Sequence, residues 1–355
     1  MLKYQFIELR EKNRHAGSKA RGDVALFAEQ EGYKPLYIKC RKEKNDSKKE
    51  RILRFVTPVF SWIKGFLSIK KNSLVIVQNP FYMRHLGREK CLKLLKTVKK
   101  CRIISIIHDV ERLRGKLWSS KNLNEEFEFM KSNSDVFIVH NDSMKDAFIK
   151  MGFPEEKLVV LEIFDYFTDK KPRRRNLETA VDIVISGNLN PQKSPYVYRL
   201  KDLKNKFSIN LYGPNYEGEK ENDNIHYLGS FPPDEIPSVI EGKFGLVWDG
   251  ENLDTCEGGT GEYLKYNNPH KTSLYLVAGL PVIIWKKSAM AKFIEREKVG
   301  FTVNSLEEIK NKINSMPKEE YDETTENATA VSARLSSGYY LKKALASCEK
   351  KLAQK

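Results

Sequence analysis

The sequence has no paired cysteine motif and no long hydrophobic run, and its first residues do not have the pattern expected of a signal peptide. Its five cysteines are scattered over 355 residues, and none is spaced with a histidine as zinc ligands are, which argues against a disulfide framework or a zinc site. No apolar segment approaches the roughly 18 residues that cross a bilayer. The amino-terminal residues mix charged and apolar side chains in a strand-like pattern. We therefore expect a cytoplasmic protein.

Glycine-rich nucleotide motifs are also missing. A polar turn at residues 13–19 separates a predicted strand from a helix predicted at about 20–30, and it matches neither the dinucleotide fingerprint nor the Walker motif. Gly17 and Ser18 in this turn are therefore only a weak signal for a cofactor. The alternative is that they simply cap the helix.

Positive charge, in contrast, is abundant. A formal net charge of +15 and a pI near 9.3 predict an acidic partner, which is nucleic acid, an anionic membrane surface or a phosphorylated small molecule. Charge alone does not choose among these. The length exceeds that of one typical hydrophobic core and predicts two domains.

Two series of alternating strands and helices predict parallel sheets, whose ligands bind at the carboxyl ends of the strands. A polar, basic stretch between residues 165 and 176 separates the series, and a nuclear localisation signal is the alternative interpretation of its charges. We predict domains at 1–170 and 176–335, and a helix within 336–355 that crosses back to the first domain. The predicted strands lie at 4–9, 35–39, 74–78, 102–107, 135–140, 180–186, 207–212, 225–228, 244–248, 282–285 and 301–303.

Residues 39–70 combine many lysines and arginines with an aromatic-rich amphipathic helix at 55–69. This combination is typical of an interfacial membrane helix, because the cations meet anionic lipid while the rings lie at headgroup depth. The alternative is an ordinary helix that packs on the first sheet beside a solvated basic loop.

His108 and Asp109 follow a strand at a carboxyl end where ligands are expected. An adjacent imidazole and carboxylate could act as a general base on a hydroxyl group or orient a substrate. The alternative is that one of them caps the following turn.

Residues 267–277 predict a helix amino terminus that binds an anion. Asn268 is a favoured N-cap, Pro269 suits the first helical position, and Lys271 would then be the third helical residue. Free backbone N–H groups, the helix dipole and the lysine charge together suit a diphosphate. The alternative is a capped helix whose lysine is merely solvated.

Several of these stretches resemble one known family, the bacterial GT-B glycosyltransferases related to the glucosyltransferase 3 of adhesin glycosylation, which includes galactofuranosyltransferases. The resemblance covers nearly the whole chain. It rests most on residues 261–271 together with 278–283, and also on 108–110, 186–188 and 244–248.

The resemblance implies an α/β GT-B fold in which two Rossmann-like domains with parallel sheets face a central cleft. The second domain would bind a UDP-sugar and the first would bind the acceptor. No metal ion or other cofactor is expected, because a lysine and a helix terminus can stabilise the departing UDP and the chain has no Asp-X-Asp pair. The nucleotide-sugar-binding residues implied are Gly17, Ser18, Gly187, Asn188, Lys193, Tyr212, Gly213, Tyr266, Asn268, His270 and Lys271.

Individual roles follow from the same resemblance. Lys271 would neutralise the diphosphate, Asn188 and Lys193 would line the nucleotide side, and Tyr212 would lie near the uracil. Residues 17–18 would close on the phosphates from the opposite domain. In an inverting reaction, the catalytic base would be Asp109 or His108, whereas a retaining reaction needs neither of them.

The hypothesis is therefore transfer of a hexose from a UDP-sugar, with galactofuranose or glucose as the sugar, to a sugar hydroxyl in cell-surface polysaccharide or glycoprotein assembly. The acceptor would be lipid-linked or carried on a glycoprotein, and the enzyme would be a homo-oligomer that contacts the inner face of the cell membrane through residues 55–69, without a nucleic-acid partner. One alternative is an NAD-type oxidoreductase, which the missing glycine fingerprint disfavours. The other is a nonenzymatic nucleic-acid-binding protein, whose affinity would fall steeply with salt.

Overall fold

Two parallel six-stranded sheets organise the molecule. The computed structural model describes residues 1–9, 16–40, 47–81, 85–114, 121–173, 179–219 and 224–354. The first sheet contains β1 (Lys3–Leu9), β2 (Lys34–Lys39), β3 (Leu74–Asn79), β4 (Arg102–Ile107), β5 (Val136–Val139) and β6 (Leu158–Val160). Its order is β2-β1-β3-β4-β5-β6, so the chain reverses direction across the sheet between β1 and β3. Ligands of such sheets bind at this switch point.

The helices of the first half are α1 (Ala16–Gln30), α2 (Lys48–Val56), α3 (Pro58–Ser68), α4 (Arg88–Thr97), α5 (Lys121–Asn133) and α6 (Asp142–Lys150). Helix α1 begins earlier than predicted, so residues 17–18 belong to its first turn and not to a loop. A buried ion pair joins Lys19 and Asp23, one helical turn apart, near this start.

The segment predicted as one helix at 55–69 is two helices. Pro58 lacks a backbone N–H and ends α2, but Thr57 keeps helical backbone angles, so α3 continues in nearly the same path. Trp62 faces inward with 1% of its surface exposed and contacts Phe6 at 4.5 Å between ring centroids. The aromatic rings of this segment are therefore divided between the core and the solvent.

The second sheet contains β7 (Ile183–Ser186), β8 (Ile209–Tyr212), β9 (Ile225–Tyr227), β10 (Phe244–Val247), β11 (Val282–Trp285) and β12 (Gly300–Val303). Its order is β9-β8-β7-β10-β11-β12, which is the doubly wound order of a Rossmann sheet with its switch point between β7 and β10. Most of these strands are buried on both faces, as a parallel sheet covered by helices requires. The α/β class with two Rossmann-like domains is confirmed.

The helices of the second half are α7 (Pro195–Arg199), α8 (His270–Val277), α9 (Ala291–Glu297), α10 (Ile309–Ser315), α11 (Lys318–Ser336) and α12 (Tyr339–Ala353). Helix α12 packs against α1, β5 and β6. Near its end, Glu349 accepts a hydrogen bond from the Tyr33 hydroxyl at 2.9 Å and forms an ion pair with Lys3 at 2.6 Å. The last helix thus covers the first sheet. In the part of the chain that the structure describes, no helix is long and apolar enough to cross a membrane.

Candidate active site

The two domains touch at the carboxyl ends of their strands. Val110, which follows β4, donates its backbone N–H to the hydroxyl of Tyr263 in the second domain at 2.9 Å. Asn141, which follows β5, donates its side-chain amide to Asn268 at 2.8 Å. The strand ends predicted to gather ligands therefore border one interdomain cleft.

Asn268 does not cap α8, contrary to the prediction. Helix α8 begins at His270, with Pro269 at the N-cap position and no side-chain cap. The Asn268 amide is instead used between the domains, where its Nδ2 donates to the carbonyls of His140 at 2.8 Å and Glu162 at 3.1 Å. Because these partners are far away in sequence, the local capping rule could not foresee them.

Lys271 is the second residue of α8, and its Nζ lies 3.0 Å from Oδ1 of Asp249, which follows β10. Burial opposes the charge on Lys271, but Asp249, together with Tyr275 and Cys256, outweighs burial and raises the pKa of the lysine. The side chain is 20% exposed and so remains open to a ligand. A protonated amine therefore stands at a helix amino end beside the switch point of the second sheet.

Two glycines allow close backbone packing beside this lysine. A Cβ on Gly187, just after β7, would lie 2.9 Å from Cε of Lys271. A Cβ on Gly213, just after β8, would lie 1.7 Å from the carbonyl oxygen of Gly187. Both glycines have positive φ angles of +149° and +146°. A side chain at position 187 would strike the lysine, and one at position 213 would strike the backbone of Gly187.

His108 is neutral and has a defined tautomer. Gln78 donates its Nε2 to the carbonyl of Arg21 at 3.3 Å, so its Oε1 is the atom that lies 2.7 Å from Nε2 of His108. The imidazole must therefore carry its proton on Nε2 and keep a lone pair on Nδ1. Burial, followed by the nearby Arg21, lowers the pKa of His108 well below its ordinary value. The ring is fixed by stacking on Phe164, with centroids 5.3 Å apart.

Asp109 is engaged by an arginine. Its carboxylate forms an ion pair with Arg114, whose guanidinium lies over the Tyr263 ring at 4.5 Å from the centroid. The two side chains of the pair are 42% and 33% exposed. Asp109 is thus accessible at the cleft, with its Oδ1 bound to Arg114.

Two further histidines are neutral at this interface. His140 donates Nε2 to the carbonyl of Ile107 at 3.0 Å and accepts the backbone N–H of Asn268 on Nδ1 at 2.9 Å, and burial lowers its pKa to about 4. His270 has a buried Nε2 without a hydrogen-bond partner among the described residues. Burial, followed by the charge of Lys19, lowers the pKa of His270 to about 3.

The three residues predicted on the nucleotide side lie in different environments. Asn188 accepts hydrogen bonds from the Asn190 backbone at 3.1 Å and the Asn215 side chain at 3.0 Å, next to Gly187. Lys193 is exposed on the turn before α7. Tyr212 is only 1% exposed, and its hydroxyl accepts the Glu241 backbone N–H at 3.2 Å. In this conformation a base cannot stack on the Tyr212 ring.

The remaining predicted residues lie at the domain interface. Gly17 and Ser18 are in the first turn of α1, where the next residue, Lys19, forms an ion pair with Asp234 of the second domain at 3.0 Å. The carbonyl of Tyr266 accepts a hydrogen bond from Asn141 at 2.9 Å.

Sequence analysis missed Asp249, Arg114 and Gln78, which each hold a predicted residue. Asp249 could have been predicted as a site residue, because it directly follows the predicted strand at 244–248. The roles of Arg114 and Gln78 depend on distances that no short motif encodes.

Comparison with known proteins identifies the family. Residues 3–163 match the profile "Glucosyltransferase 3-like, N-terminal domain", and residues 183–348 match "Glucosyltransferase 3-like, C-terminal domain". The beta-1,6-galactofuranosyltransferase WbbI of Escherichia coli (strain K12) is 35% identical over 250 residues, which are 69% of this chain and 71% of that protein. The chain belongs to the glucosyltransferase 3-like family. It is a glycosyltransferase, and the family resemblance drawn from the sequence is confirmed.

A second relative of this family member is the Glucosyltransferase 3 of Streptococcus gordonii, 28% identical over 330 residues and 92% of each chain. Among solved structures, the lipopolysaccharide outer core galactosyltransferase WaaB has a TM-score of 0.62 at 12% identity, over 99% of this chain and 100% of that one. Anabaena Alr3699/HepE in complex with UDP-glucose has a TM-score of 0.58 at 12% identity, over all of both chains. At these identities the likeness shows the fold, which is GT-B as the resemblance implied.

Proposed function

We propose that this glycosyltransferase moves a hexose from a UDP-sugar to a sugar hydroxyl during cell-surface polysaccharide or glycoprotein assembly. The observation that carries the proposal is the protonated Lys271 at the amino end of α8, approached by Gly187. A diphosphate would bind the free N–H groups of this terminus. It would also replace Asp249 as the partner of the Lys271 ammonium group.

The same groups would assist bond cleavage. Negative charge grows on the leaving UDP as the glycosidic bond breaks, and a fixed cation in a partly buried site stabilises that charge strongly. This arrangement supports metal-independent transfer, which predicts full activity in EDTA.

Galactofuranose is favoured over glucose as the donor sugar, because the relative with 35% identity is a galactofuranosyltransferase and the glucosyltransferase is 28% identical.

His108 and Asp109 are the candidate bases if the reaction inverts. His108 presents a lone pair on Nδ1 in a fixed ring, whereas Asp109 is more exposed but held by Arg114. The pair therefore offers two distinct proton acceptors, and loss of transfer in His108→Ala or Asp109→Asn with donor binding retained would identify the one in use.

The donor site is tested by UDP release from purified enzyme with UDP-galactofuranose, UDP-glucose, UDP-galactose and the two UDP-N-acetylhexosamines. Slow hydrolysis of one donor is expected, and Lys271→Ala should reduce it by about 100-fold or more, as loss of one charge-stabilising donor does elsewhere. Lys287→Ala, an exposed lysine paired with Glu257, is the matched control. The proposal would be contradicted if the wild type neither released UDP nor was thermally stabilised by UDP.

A bilayer contact is the second part of the proposed function. Five apolar side chains spaced by three or four residues form one exposed face along α2 and α3, which we call the apolar stripe: Ile52, Val56, Phe60, Ile63 and Leu67. Phe60 is 77% exposed and Leu67 is 71% exposed. The exposed cations Lys48, Lys49, Arg51 and Lys64 lie on the same two helices. Apolar insertion flanked by cations suits an anionic bilayer, and a lipid-linked acceptor would be found there.

Vesicle flotation tests the apolar stripe. The intact protein should float with vesicles that contain phosphatidylglycerol and float poorly with pure phosphatidylcholine, because the basic residues need anionic lipid. Phe60→Glu/Leu67→Glu should remove flotation without loss of folding, since both side chains are solvent-exposed. Val98→Glu/Ile149→Glu, on exposed apolar residues just after α4 and within α6, is the control. Equal flotation of all three proteins would refute membrane contact through the apolar stripe.

The homo-oligomer and the cytoplasmic location stay predictions.

A further inference from the structure

Three side chains of the first domain bring a carboxylate, a thiol and an imidazole together. Glu8 lies near the end of β1, Cys40 directly follows β2, and His85 comes after β3. The atoms of these three groups that could bind a metal all lie within 4.8 Å of one another. Because the residues are far apart in sequence, the spacing rule that argued against a zinc site could not find them.

The distances within this cluster match those around a tetrahedral zinc ion. Nε2 of His85 lies 3.3 Å from Oε1 of Glu8 and 3.6 Å from Sγ of Cys40. Zinc bonds are roughly 2.0–2.2 Å long to nitrogen or oxygen and about 2.3 Å long to sulfur, so tetrahedral geometry separates such atom pairs by about 3.4 and 3.6 Å. Rotation of the Cys40 side chain can adjust the remaining distance, from its sulfur to the Glu8 carboxylate.

The cluster is buried on two sides and reachable on the third. The side chains of His85 and Glu8 are 0% and 5% exposed, whereas Cys40 is partly exposed. All five cysteines lie in the part of the chain that the structure describes, and the other four are buried, where burial raises the pKa of their thiols. A cysteine binds metal as the thiolate, so Cys40 is the one best placed to be a ligand.

Trp62 of α3 determines where His85 carries its proton. The indole Nε1 donates to Nδ1 of His85 at 3.3 Å, so a neutral imidazole without metal has its proton on Nε2. A metal at Nε2 would displace this proton to Nδ1, and the Cys40 thiol would release its own proton to solvent. The Trp62 hydrogen bond would be lost, and the three bonds to the metal would offset that loss. Tryptophan fluorescence should therefore report metal binding.

We propose that Glu8, Cys40 and His85 form a zinc site. A mixed set of sulfur, nitrogen and oxygen ligands suits zinc, whereas calcium and magnesium prefer oxygen ligands alone. The described residues supply three ligands, and water would complete the tetrahedron. The ion would tie together the carboxyl ends of β1, β2 and β3 beside α3. Its role is structural, and it takes no part in the donor chemistry at Lys271.

Zinc titration of the untagged, reduced protein tests the site. After treatment with a chelator, the protein should bind one Zn²⁺ per chain in calorimetry. Zn²⁺ should also raise the melting temperature, since it binds the folded state, and should change the tryptophan emission. Co²⁺ in place of Zn²⁺ should give the near-ultraviolet absorption of a cobalt–thiolate bond. Mg²⁺ and Ca²⁺ in excess should have none of these effects.

Variants of the ligands identify the site. Cys40→Ser and Glu8→Gln should each weaken zinc binding by about 100-fold or more, because loss of a residue that merely supports a ligand already costs roughly 10- to 100-fold. Cys40→Ser should also remove the cobalt–thiolate absorption. Cys101→Ser is the matched control, since Cys101 is a buried cysteine of the same domain whose thiol donates to the carbonyl of Lys70 at 3.5 Å, and a serine can do the same.

The proposal would be overturned if the wild type bound no Zn²⁺, or if the wild type and Cys40→Ser bound it equally well. UDP release without acceptor is measured on every variant and should be unchanged, because the zinc site lies outside the donor-binding machinery. Failure of the zinc site would therefore leave the proposed transferase function standing, and loss of UDP release in the wild type would not affect the zinc titration.

Discussion

At the scale of single residues, a side chain whose sequence context suggests a local role can bind residues far away in the chain. Asn268 has the sequence context of a helix cap but makes three side-chain hydrogen bonds across the domain interface. Its backbone N–H also fixes the His140 tautomer. The residue type was recognised from the sequence, and its partners were not, because they are more than 100 residues away.

Replacement of Asn268 by Asp should show this role. The new carboxylate cannot donate to the carbonyls of His140 and Glu162, and it places a buried charge there, so we expect the free energy of unfolding to fall by about 2 to 4 kcal/mol. Urea denaturation measures the change. In Asn252→Asp the exposed oxygen still accepts from Arg199, so this control should stay near wild type. A change below about 0.5 kcal/mol in Asn268→Asp would contradict the interpretation.

At the scale of elements, strands with continuous apolar sequence were predictable, whereas several helices with a weak hydrophobic period were not. The strands at 74–79 and 282–285 are buried throughout and nearly match their predicted bounds. Helix α11 was missed because its buried face is Thr324, Ala328, Val331 and Leu335, which gives only a faint hydrophobic period. Helix α5 and the short edge strand β6 were missed because their hydrophobic periods are also weak.

Helix α12 shows an element that depends on a remote cap. Its N-cap residue is Gly338, which has no side chain, and the first turn is satisfied instead by Asp165, which accepts the N–H groups of Tyr340 at 3.2 Å and Leu341 at 2.6 Å. We expect Asp165→Ala to lower the free energy of unfolding by about 1 to 2 kcal/mol, because two buried N–H groups lose their acceptor.

Hydrogen exchange locates the effect of this substitution. Protection should fall first in the opening turn of α12 and leave the second sheet unchanged. Asp169→Ala, a 72% exposed carboxylate nearby, is the control. Uniform loss of protection over both domains would argue against a local cap.

At the scale of the whole molecule, the domains are joined by groups that must stay neutral. His140 uses both ring nitrogens in its neutral form, one toward Ile107 and one toward Asn268, and burial lowers its pKa to about 4. An unfolded histidine has a pKa near 6.5. Between these values the unfolded chain binds a proton that the folded protein does not, so stability falls as pH falls from about 6.5 to about 4.

The size of this effect is about 3 kcal/mol for His140 by pH 4. Urea denaturation of wild type and His140→Gln between pH 7.5 and 5 isolates it, because other groups titrate in both proteins. The variant should be less stable at pH 7.5, and its stability should depend on pH less steeply, by up to one proton. Parallel curves for the two proteins would show that His140 is not the source.

The return of α12 to the first sheet affects how the chain is made and how it can be recombined. The first sheet is complete at β6, yet the helix that covers α1, β5 and β6 is synthesised only after the entire second domain. The nascent first domain must therefore keep an apolar surface uncovered while the ribosome makes the second. A chimera that exchanges nucleotide-binding halves between family members would, for the same reason, have to take α12 from the parent of its first domain.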